Sequence, residues 1–204
     1  MEIYVFIERG GRSTPLLKRV FDIALSSIGL IISFPLWLTI PLLIWLEDRG
    51  PIFYTHPRVG KDGSIFNIFK FRTMIVDAEK GTGAVLAKDG DLRITKTGKI
   101  LRATAMDELP QLINILKGDM SFVGPRPERP EFIKRFLKEI PNYKLRYKVV
   151  PGLTGIAQIY GRYDTEARKK IRYDLLYIRR YSFMLDIKLI LISFWITFRG
   201  RWGE

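Results

Sequence analysis

The chain has 204 residues, of which 47% are hydrophobic, and a formal net charge of +13. This length suits one domain with a substantial core, and the apolar content excludes a disordered basic tail. The sequence contains no cysteine, which excludes disulfides, thiolate nucleophiles and cysteine-ligated metals. The positive charge is typical both of nucleic-acid-binding proteins and of proteins on an anionic membrane, and does not decide between them.

The first strong feature along the chain is an uncharged segment of 24 residues, from Ile23 to Leu46. As a helix it would be about 36 Å long, which is enough to cross a bilayer. It is too long for the hydrophobic part of a usual signal peptide. A buried core helix is the alternative, but a soluble domain of this size rarely encloses so many consecutive apolar residues. The segment therefore favours a membrane protein.

Pro35, in the middle of this segment, argues against a straight helix. An interior proline removes one backbone hydrogen bond and clashes with the preceding turn, and the hydroxyl of Ser33 can satisfy a freed carbonyl. Basic residues lie on both sides of the segment: Lys18, Arg19, Arg49, Arg58 and Lys61. Because basic flanks face the cytoplasm, we predict a re-entrant membrane helix over residues 18–48 that breaks at Ser33 and Pro35. A kinked helix that spans the membrane is the alternative.

Two short apolar runs follow, Ile52–His56 and Ile65–Phe71. The dipeptide Asp62-Gly63 between them is typical of a tight turn, so the two runs predict a small β-hairpin. Residues 77–99 are polar and rich in glycine, which indicates a loop beside a functional site.

Apolar periodicity predicts four further helices, over residues 107–116, 131–140, 166–181 and 183–198. The helix at 131–140 has an apolar side and a basic side. This pattern is typical of a helix at a membrane interface, and equally of a surface helix that faces a core. Residues 183–198 are too few for a comfortable span and favour a helix along the membrane surface.

Asp107 and Glu108 are the side chains best suited to chemistry. A carboxylate can attack phosphorus as a nucleophile, while Mg²⁺ and arginines neutralise the charge of the phosphate. Adjacent residues of a helix do not face each other, so two separate roles are more plausible than a symmetric pair. A helix cap is the alternative for Asp107, either in a capping box with Thr104 or as the N-cap before Pro110. For an isolated pair, the cap is the stronger hypothesis.

The surrounding sequence extends this pair into a long ordered pattern. Residues 107–112 read DELPQL, and residues 116–127 read LKGDMSFVGPRP. Further motifs are KRVFD at 18–22, FKFRTM at 69–74, PGLTG at 151–155 and Gln158-x-x-Gly161-Arg162. With these motifs the chain resembles the bacterial sugar transferase family, the monotopic phosphoglycosyl transferases, from residue 18 to about residue 200.

The resemblance implies an α+β fold that is mostly α, with a small hairpin and interfacial amphipathic helices. It implies a single catalytic domain over residues 1–204, in which residues 49–204 lie on the cytoplasmic surface of a bacterial inner membrane. The family anchors itself by a re-entrant helix broken at a proline, in agreement with the prediction at Pro35. In some small members a serine directly precedes that proline, whereas here Phe34 does and Ser33 lies one position earlier.

The implied reaction transfers a sugar-1-phosphate from a UDP-sugar to polyprenyl (undecaprenyl) phosphate and releases UMP, through a covalent phospho-aspartyl sugar. It is the first membrane step in the synthesis of a polysaccharide or glycoconjugate. Asp107 would be the nucleophile and a Mg²⁺ contact, and Glu108 would support it. The residues expected near the carboxylates and phosphates are Lys70, Arg102, Arg126 and Arg162. The expected partners are the UDP-sugar, the lipid phosphate and the membrane, without nucleic acid, and a homodimer is left open.

Other interpretations remain at this stage. Arg126 could only hold a loop between two prolines, and Arg102 could be a solvated residue before a helix. A basic protein on the membrane surface that binds nucleic acid without catalysis would show salt-sensitive affinity and no dependence on metal. A transferase for another nucleotide or acceptor is a further alternative.

Overall fold

The computed structural model describes residues 14–81, 83, 85, 90–161 and 166–199. Within these ranges the helices are Leu16–Ile32 (α1), Leu36–Asp48 (α2), Lys96–Ala103 (α3), Gln111–Lys117 (α4), Pro130–Glu139 (α5), Ile156–Tyr160 (α6), Ala167–Arg180 (α7) and Phe183–Phe198 (α8). The strands are Phe53–Val59 (β1), Ile65–Phe71 (β2), Ser121–Val123 (β3) and Gly152–Thr154 (β4). The predicted α+β fold, mostly helical with a small antiparallel hairpin, is confirmed.

The uncharged segment forms two helices rather than one. Helices α1 and α2 are separated by a break at residues 33–35 and are bent by 63° relative to each other. Pro35 is the N-cap of α2, and the side chain of Trp37 donates from Nε1 to the Oγ of Ser33 at 3.1 Å. Within the described ranges, no single helix combines enough length and hydrophobicity to cross a membrane, whereas this bent pair does so by length and composition.

The fully buried side chains of helix α1 are polar, whereas many of its large apolar side chains are exposed. Lys18, Asp22 and Ser26 are buried. Large exposed apolar side chains of α1, α2 and their connection are Leu16, Leu17, Val20, Ile23, Ile28, Ile31, Ile32, Phe34, Leu38, Leu42, Leu43, Trp45 and Leu46. Helix α8 adds Met184, Leu191, Phe194, Trp195 and Phe198. A helix on a water-exposed surface has the reverse pattern.

The predicted hairpin is formed by β1 and β2, which pair antiparallel with Tyr54 opposite Lys70. A short 3-10 turn over Lys61–Gly63 connects them. Tyr54, His56 and Arg58 alternate with exposed residues along β1 and are half-buried. Because alternate residues of a strand share a face, these three side chains and Lys70 lie on the same side of the hairpin.

A second pairing, between β3 and β4, was not predicted. The two three-residue strands are parallel, with Ser121 opposite Gly152 and Val123 opposite Thr154. A Cβ atom at Gly152 would lie 2.0 Å from the backbone nitrogen of Gly124, so only glycine allows this approach. The pairing positions the segment that follows β3, which contains the two prolines around an arginine.

The predicted helix over residues 107–116 begins later than expected. Met106–Glu108 form a 3-10 turn, and α4 begins at Gln111. Pro110 has no N–H group to donate to the carbonyl of Met106, so regular α-helical bonding does not extend upstream of it. The predicted loop at 77–99 also ends early, because α3 begins at Lys96.

Candidate active site

Three distant segments bring four charged side chains together. The amine of Lys70, on β2, lies 3.2 Å from Oδ2 of Asp107 and 2.6 Å from Oε1 of Glu108. The guanidinium of Arg126, in the segment after β3, lies 2.6 Å from the same oxygen of Glu108. Two cations therefore share one carboxylate, and one of them also contacts the neighbouring carboxylate.

The local backbone explains why Asp107 is not a helix cap. Ala105 adopts φ 53°, in the left-handed region, and the chain then enters the 3-10 turn that contains the carboxylates. Thr104 donates its hydroxyl to the carbonyl of Ile100 at 2.8 Å instead of forming a capping box. The side chain of Asp107 accepts from Lys70. Both cap interpretations of Asp107 are wrong.

Burial and charge act differently on the two carboxylates. Burial raises the pKa of Asp107, an effect that Lys70 reduces and Glu108 increases. Burial also opposes ionisation of Glu108, but the charges of Arg126 and Lys70 outweigh it and hold the pKa of Glu108 well below its usual range. Glu108 is therefore an ionised group that holds two cations in place.

Asp107 keeps one oxygen available. Its Oδ2 accepts from Lys70, and in the described part of the chain no side chain or backbone N–H donates to its Oδ1. The side chain is mostly buried but is not enclosed by donors on all sides. A carboxylate that is positioned through one oxygen and unpartnered at the other can bind a ligand or attack an electrophile.

Arg102 lies beside this group, on α3. Its Nε donates to the hydroxyl of Thr73 at 2.9 Å, and its charge lowers the pKa of Asp107, with a smaller effect than burial, Lys70 and Glu108 have. The structure thus brings together Lys70, Asp107, Glu108 and Arg126, with Arg102 at their edge. Arg162 lies outside the described residues.

The segment that carries Arg126 is held through its backbone. Four consecutive carbonyls, those of residues 125–128, each accept a hydrogen bond from another element. The donors, in chain order of the carbonyls, are Gly152 N at 2.9 Å, Arg146 Nη2 at 2.7 Å, Arg58 Nη1 at 3.3 Å and Val59 N at 3.1 Å. These hydrogen bonds fix the backbone of residues 125–128, and with it the position of the Cα atom from which the side chain of Arg126 extends.

Comparison with known proteins assigns the family. The sequence model described as bacterial sugar transferase matches residues 13–200. The chain belongs to the bacterial sugar transferase family. The resemblance inferred from the motifs is therefore confirmed.

Curated relatives of this sugar transferase are named for related reactions. An Aeromonas hydrophila UDP-N-acetylgalactosamine-undecaprenyl-phosphate N-acetylgalactosaminephosphotransferase is 42% identical over 191 residues, which are 92% of this chain and 43% of that protein. A Klebsiella pneumoniae UDP-glucose:undecaprenyl-phosphate glucose-1-phosphate transferase is 43% identical over 188 residues, 90% of this chain and 40% of that protein. The chain therefore spans less than half the length of these two relatives.

A shorter relative is matched over most of its length. It is a Bacillus subtilis (strain 168) protein and is 47% identical over 155 residues. These residues are 76% of this chain and 82% of that protein. Its provisional name is undecaprenyl-phosphate N-acetylgalactosaminyl 1-phosphate transferase.

The side chains around Asp107 fit a magnesium ion only together with a ligand. Among the described residues, no three His, Cys, Asp or Glu side chains are grouped to hold a metal. Mg²⁺ is commonly bound by one or two carboxylates with substrate phosphates and water. In the part of the chain that the structure describes, one oxygen of Asp107 has no donor and is available to a metal, whereas Glu108 is occupied by two cations.

Several residues of this site were missed at the level of sequence. Arg58, Thr73 and Arg146 contact Arg102 or the segment of Arg126. Arg146 is buried and forms an ion pair with Asp174 at 3.0 Å, and no local pattern links these two positions. The alternation along β1 was a usable signal for Arg58, because it places Arg58 on the face of the hairpin that carries Lys70.

Proposed function

We propose that this sugar transferase moves a sugar-1-phosphate from a UDP-sugar to undecaprenyl phosphate, releasing UMP, through a covalent intermediate on Asp107. The names of its relatives support the reaction class. The observation that carries the mechanism is the oxygen of Asp107 that receives no donor from the described residues, next to a carboxylate that holds two cations. The cations match the negative charge of phosphates, and the carboxylate supplies a nucleophile.

In the first step, Oδ1 of Asp107 attacks the phosphorus that carries the sugar. A bond forms between this oxygen and phosphorus, and the bond from phosphorus to the oxygen of UMP breaks with its electron pair going to UMP. In the second step, an oxygen of the lipid phosphate attacks the same phosphorus. The bond to Asp107 breaks, and the free carboxylate is regenerated with the polyprenyl-diphosphate sugar as product.

The neighbouring cations have distinct roles in this proposal. Lys70 orients Asp107 through Oδ2, and its positive charge favours the ionised form of Asp107 by lowering its pKa. Arg126 and Arg102 bind phosphate oxygens, for which the guanidinium fork is well suited, and Arg162 is proposed to join them. Glu108 positions Lys70 and Arg126. Mg²⁺, held by Asp107 and phosphate oxygens, would add charge neutralisation.

We also propose that α1 and α2 form a re-entrant anchor in a bacterial inner membrane. The bend of 63°, the exposed apolar side chains and the basic residues on both flanks support this arrangement. Both ends of the anchor and the catalytic residues would then face the cytoplasm, where the UDP-sugar is available.

The covalent step can be tested without the lipid. Enzyme mixed with Mg²⁺ and a panel of UDP-sugars is expected to release up to about one UMP per active site, because the first displacement needs no acceptor. Intact-protein mass spectrometry should show a sugar-phosphate adduct that maps to Asp107. Asp107→Asn should abolish both signals, while Asp77→Asn, at an exposed aspartate, should keep both.

Steady-state kinetics provide an independent check. With both substrates varied, double-reciprocal plots should give parallel lines. Intersecting lines together with the absence of an adduct would mean that the lipid phosphate attacks directly. Asp107 would then be reduced to a metal ligand.

The topology can be tested by cysteine labelling, because the chain has no native cysteine. Arg12→Cys and Asp62→Cys are each expected to react with a membrane-impermeant reagent only from the cytoplasmic side. Labelling of position 12 from the opposite side would show that the helix spans the membrane. Pro35→Ala should straighten the break and move part of the population to that topology.

A further inference from the structure

Arg58 is a half-buried arginine whose hydrogen bonds are incomplete. Its Nη1 donates to the carbonyl of Pro127 at 3.3 Å, and its Nε is buried and has no partner among the described residues. Within the part of the chain that the structure describes, no carboxylate oxygen lies within 4.0 Å of its guanidinium. A buried donor without a partner costs free energy, and the cost is larger for a charged group.

The neighbouring arginines are all paired. Arg126 is 2.6 Å from Glu108, Arg129 is 2.7 Å from Glu79, and Arg146 is 3.0 Å from Asp174. Each of these pairs joins a guanidinium nitrogen to a carboxylate oxygen. Arg58 therefore contributes a positive charge to this region that no carboxylate in contact with it balances.

The guanidinium of Arg58 is affected by a second guanidinium, that of Arg126. Burial lowers the pKa of its guanidinium most, and the charge of Arg126 lowers it further. Glu128 and Tyr54 act in the opposite direction, while Arg129 adds to the lowering. A second guanidinium close to a half-buried one is unfavourable until an anion lies near both.

The position of Arg58 relates it to the proposed nucleophile. Arg58 and Tyr54 share a face of β1, and Tyr54 lies opposite Lys70, which holds Asp107. Four residues along a strand correspond to roughly 13 Å. Arg126 connects the two places, since its side chain reaches Glu108 and the carbonyl of the next residue accepts from Arg58. Arg58 and Lys70 therefore lie at different places along the same face of the hairpin, with Arg126 between them.

We propose that Arg58 binds a second phosphate group, adjacent to the phosphate that reacts at Asp107, with Arg126 between the two. This inference rests on the proposed function. The second phosphate is either the nucleotide-side phosphate of the UDP-sugar or the phosphate of the lipid acceptor. Both present the same phosphate oxygens, which a guanidinium binds through two N–H groups.

The same geometry gives the proposal a distinctive signature. Replacement of Arg58 removes an unbalanced charge from the protein without ligand, so it should not lower the melting temperature and can raise it. The same replacement removes a charged donor to phosphate, so it should weaken binding. A residue that only holds the loop through the carbonyl of Pro127 would show the opposite combination.

The experiment measures ligand-dependent melting temperatures of the full chain in detergent, with UDP and with undecaprenyl phosphate as separate probes. Arg58→Gln should keep or raise the melting temperature without ligand, and should weaken the affinity for one of the two probes about tenfold or more. Loss of UDP affinity assigns the nucleotide phosphate, and loss of lipid affinity assigns the acceptor phosphate. Arg58→Lys should weaken the same affinity less than Arg58→Gln does, because it keeps the positive charge. The exposed control Arg135→Gln should change neither affinity.

A lower melting temperature of Arg58→Gln without ligand would overturn the proposal, and so would affinities for both probes that stay within about twofold of the wild type. Because both probes are measured without turnover, this outcome is separate from that of the proposed function. Weaker UDP binding in Arg58→Gln, combined with no adduct on Asp107 of the wild-type protein, would keep the phosphate site and refute the covalent mechanism.

Discussion

The protein contains two buried clusters in which a lysine meets carboxylates, and they differ in one respect. The first, here called the anchor cluster, comprises Lys18 of α1, Tyr177 of α7 and Asp186 of α8. Lys18 lies 2.7 Å from Asp186 and also donates to the carbonyl of Val123 and to the hydroxyl of Tyr177. In the site cluster, which comprises Lys70, Asp107, Glu108 and Arg126, the lysine contacts two carboxylates. Burial and ion pairing alone do not separate a structural cluster from a candidate catalytic one.

The difference lies in how fully the groups are satisfied. The side chains of Lys18 and Asp186 are 7% and 2% exposed, and Asp186 also accepts from Tyr177 at 2.8 Å. In the site cluster, Asp107 has an oxygen without a donor among the described residues, and the side chain of Arg126 is 43% exposed. The anchor cluster joins α1 to the segment before Arg126, while the site cluster keeps capacity for a ligand.

The largest expected effect is on the anchor cluster. Asp186→Asn should destabilise the folded protein by about 3–5 kcal/mol, because it leaves Lys18 buried without its charge partner. The melting temperature in detergent checks this. The double variant Lys18→Met with Asp186→Leu should recover much of the loss, since apolar side chains of similar size replace the ion pair. A melting temperature unchanged in Asp186→Asn would contradict the structural role of this cluster.

A substitution in the site cluster should lower turnover and leave the stability of the fold unchanged. Arg126→Lys keeps the charge but loses the planar fork, so turnover should fall by about a hundredfold. The melting temperature and circular dichroism should match those of the wild type, because the backbone of this segment is held by other donors. Arg135→Lys, at an exposed position of α5, serves as the control. Turnover near that of the wild type would show that Arg126 only holds the loop.

A smaller effect is expected at Glu108. Glu108→Gln weakens the position of Lys70 and Arg126 but leaves the nucleophile, so turnover should fall by about tenfold to a hundredfold. The adduct on Asp107 should still form in mass spectrometry. An adduct that maps to Glu108 in the wild type and disappears in Glu108→Gln would mean that the two carboxylates have exchanged roles.

The smallest effect concerns pH. Lys70 lowers the pKa of Asp107, which burial raises, so Lys70→Gln should raise this pKa further. A protonated carboxyl does not attack phosphorus, and activity should therefore decline on the acid side at a higher pH than in the wild type. Rates of UMP release across a pH series measure the shift. An acid limb that stays in place would indicate that another group titrates there.

The hairpin and the position of the helix break follow from local chemistry. Asp62-Gly63 sets the turn, and alternation along β1 sets which side chains face inward. A proline cannot donate a backbone hydrogen bond, so the break at Pro35 could be predicted. The same property of Pro110 explains the late start of α4, so this feature is also local. Each of these features depends on residues that are close in the chain.

The sequence by itself determined the longer helices, the hairpin, the family and the candidate residues Lys70, Asp107, Glu108 and Arg126, because short-range backbone preferences and ordered motifs carry this information. Only the tertiary structure decided which charges meet. The pairing of β3 with β4, the ion pair of Arg146 with Asp174 and the hydrogen bond from Arg58 to the carbonyl of Pro127 are contacts between distant segments. Such contacts depend on how whole elements pack, and no local pattern encodes whether a charged side chain finds its partner.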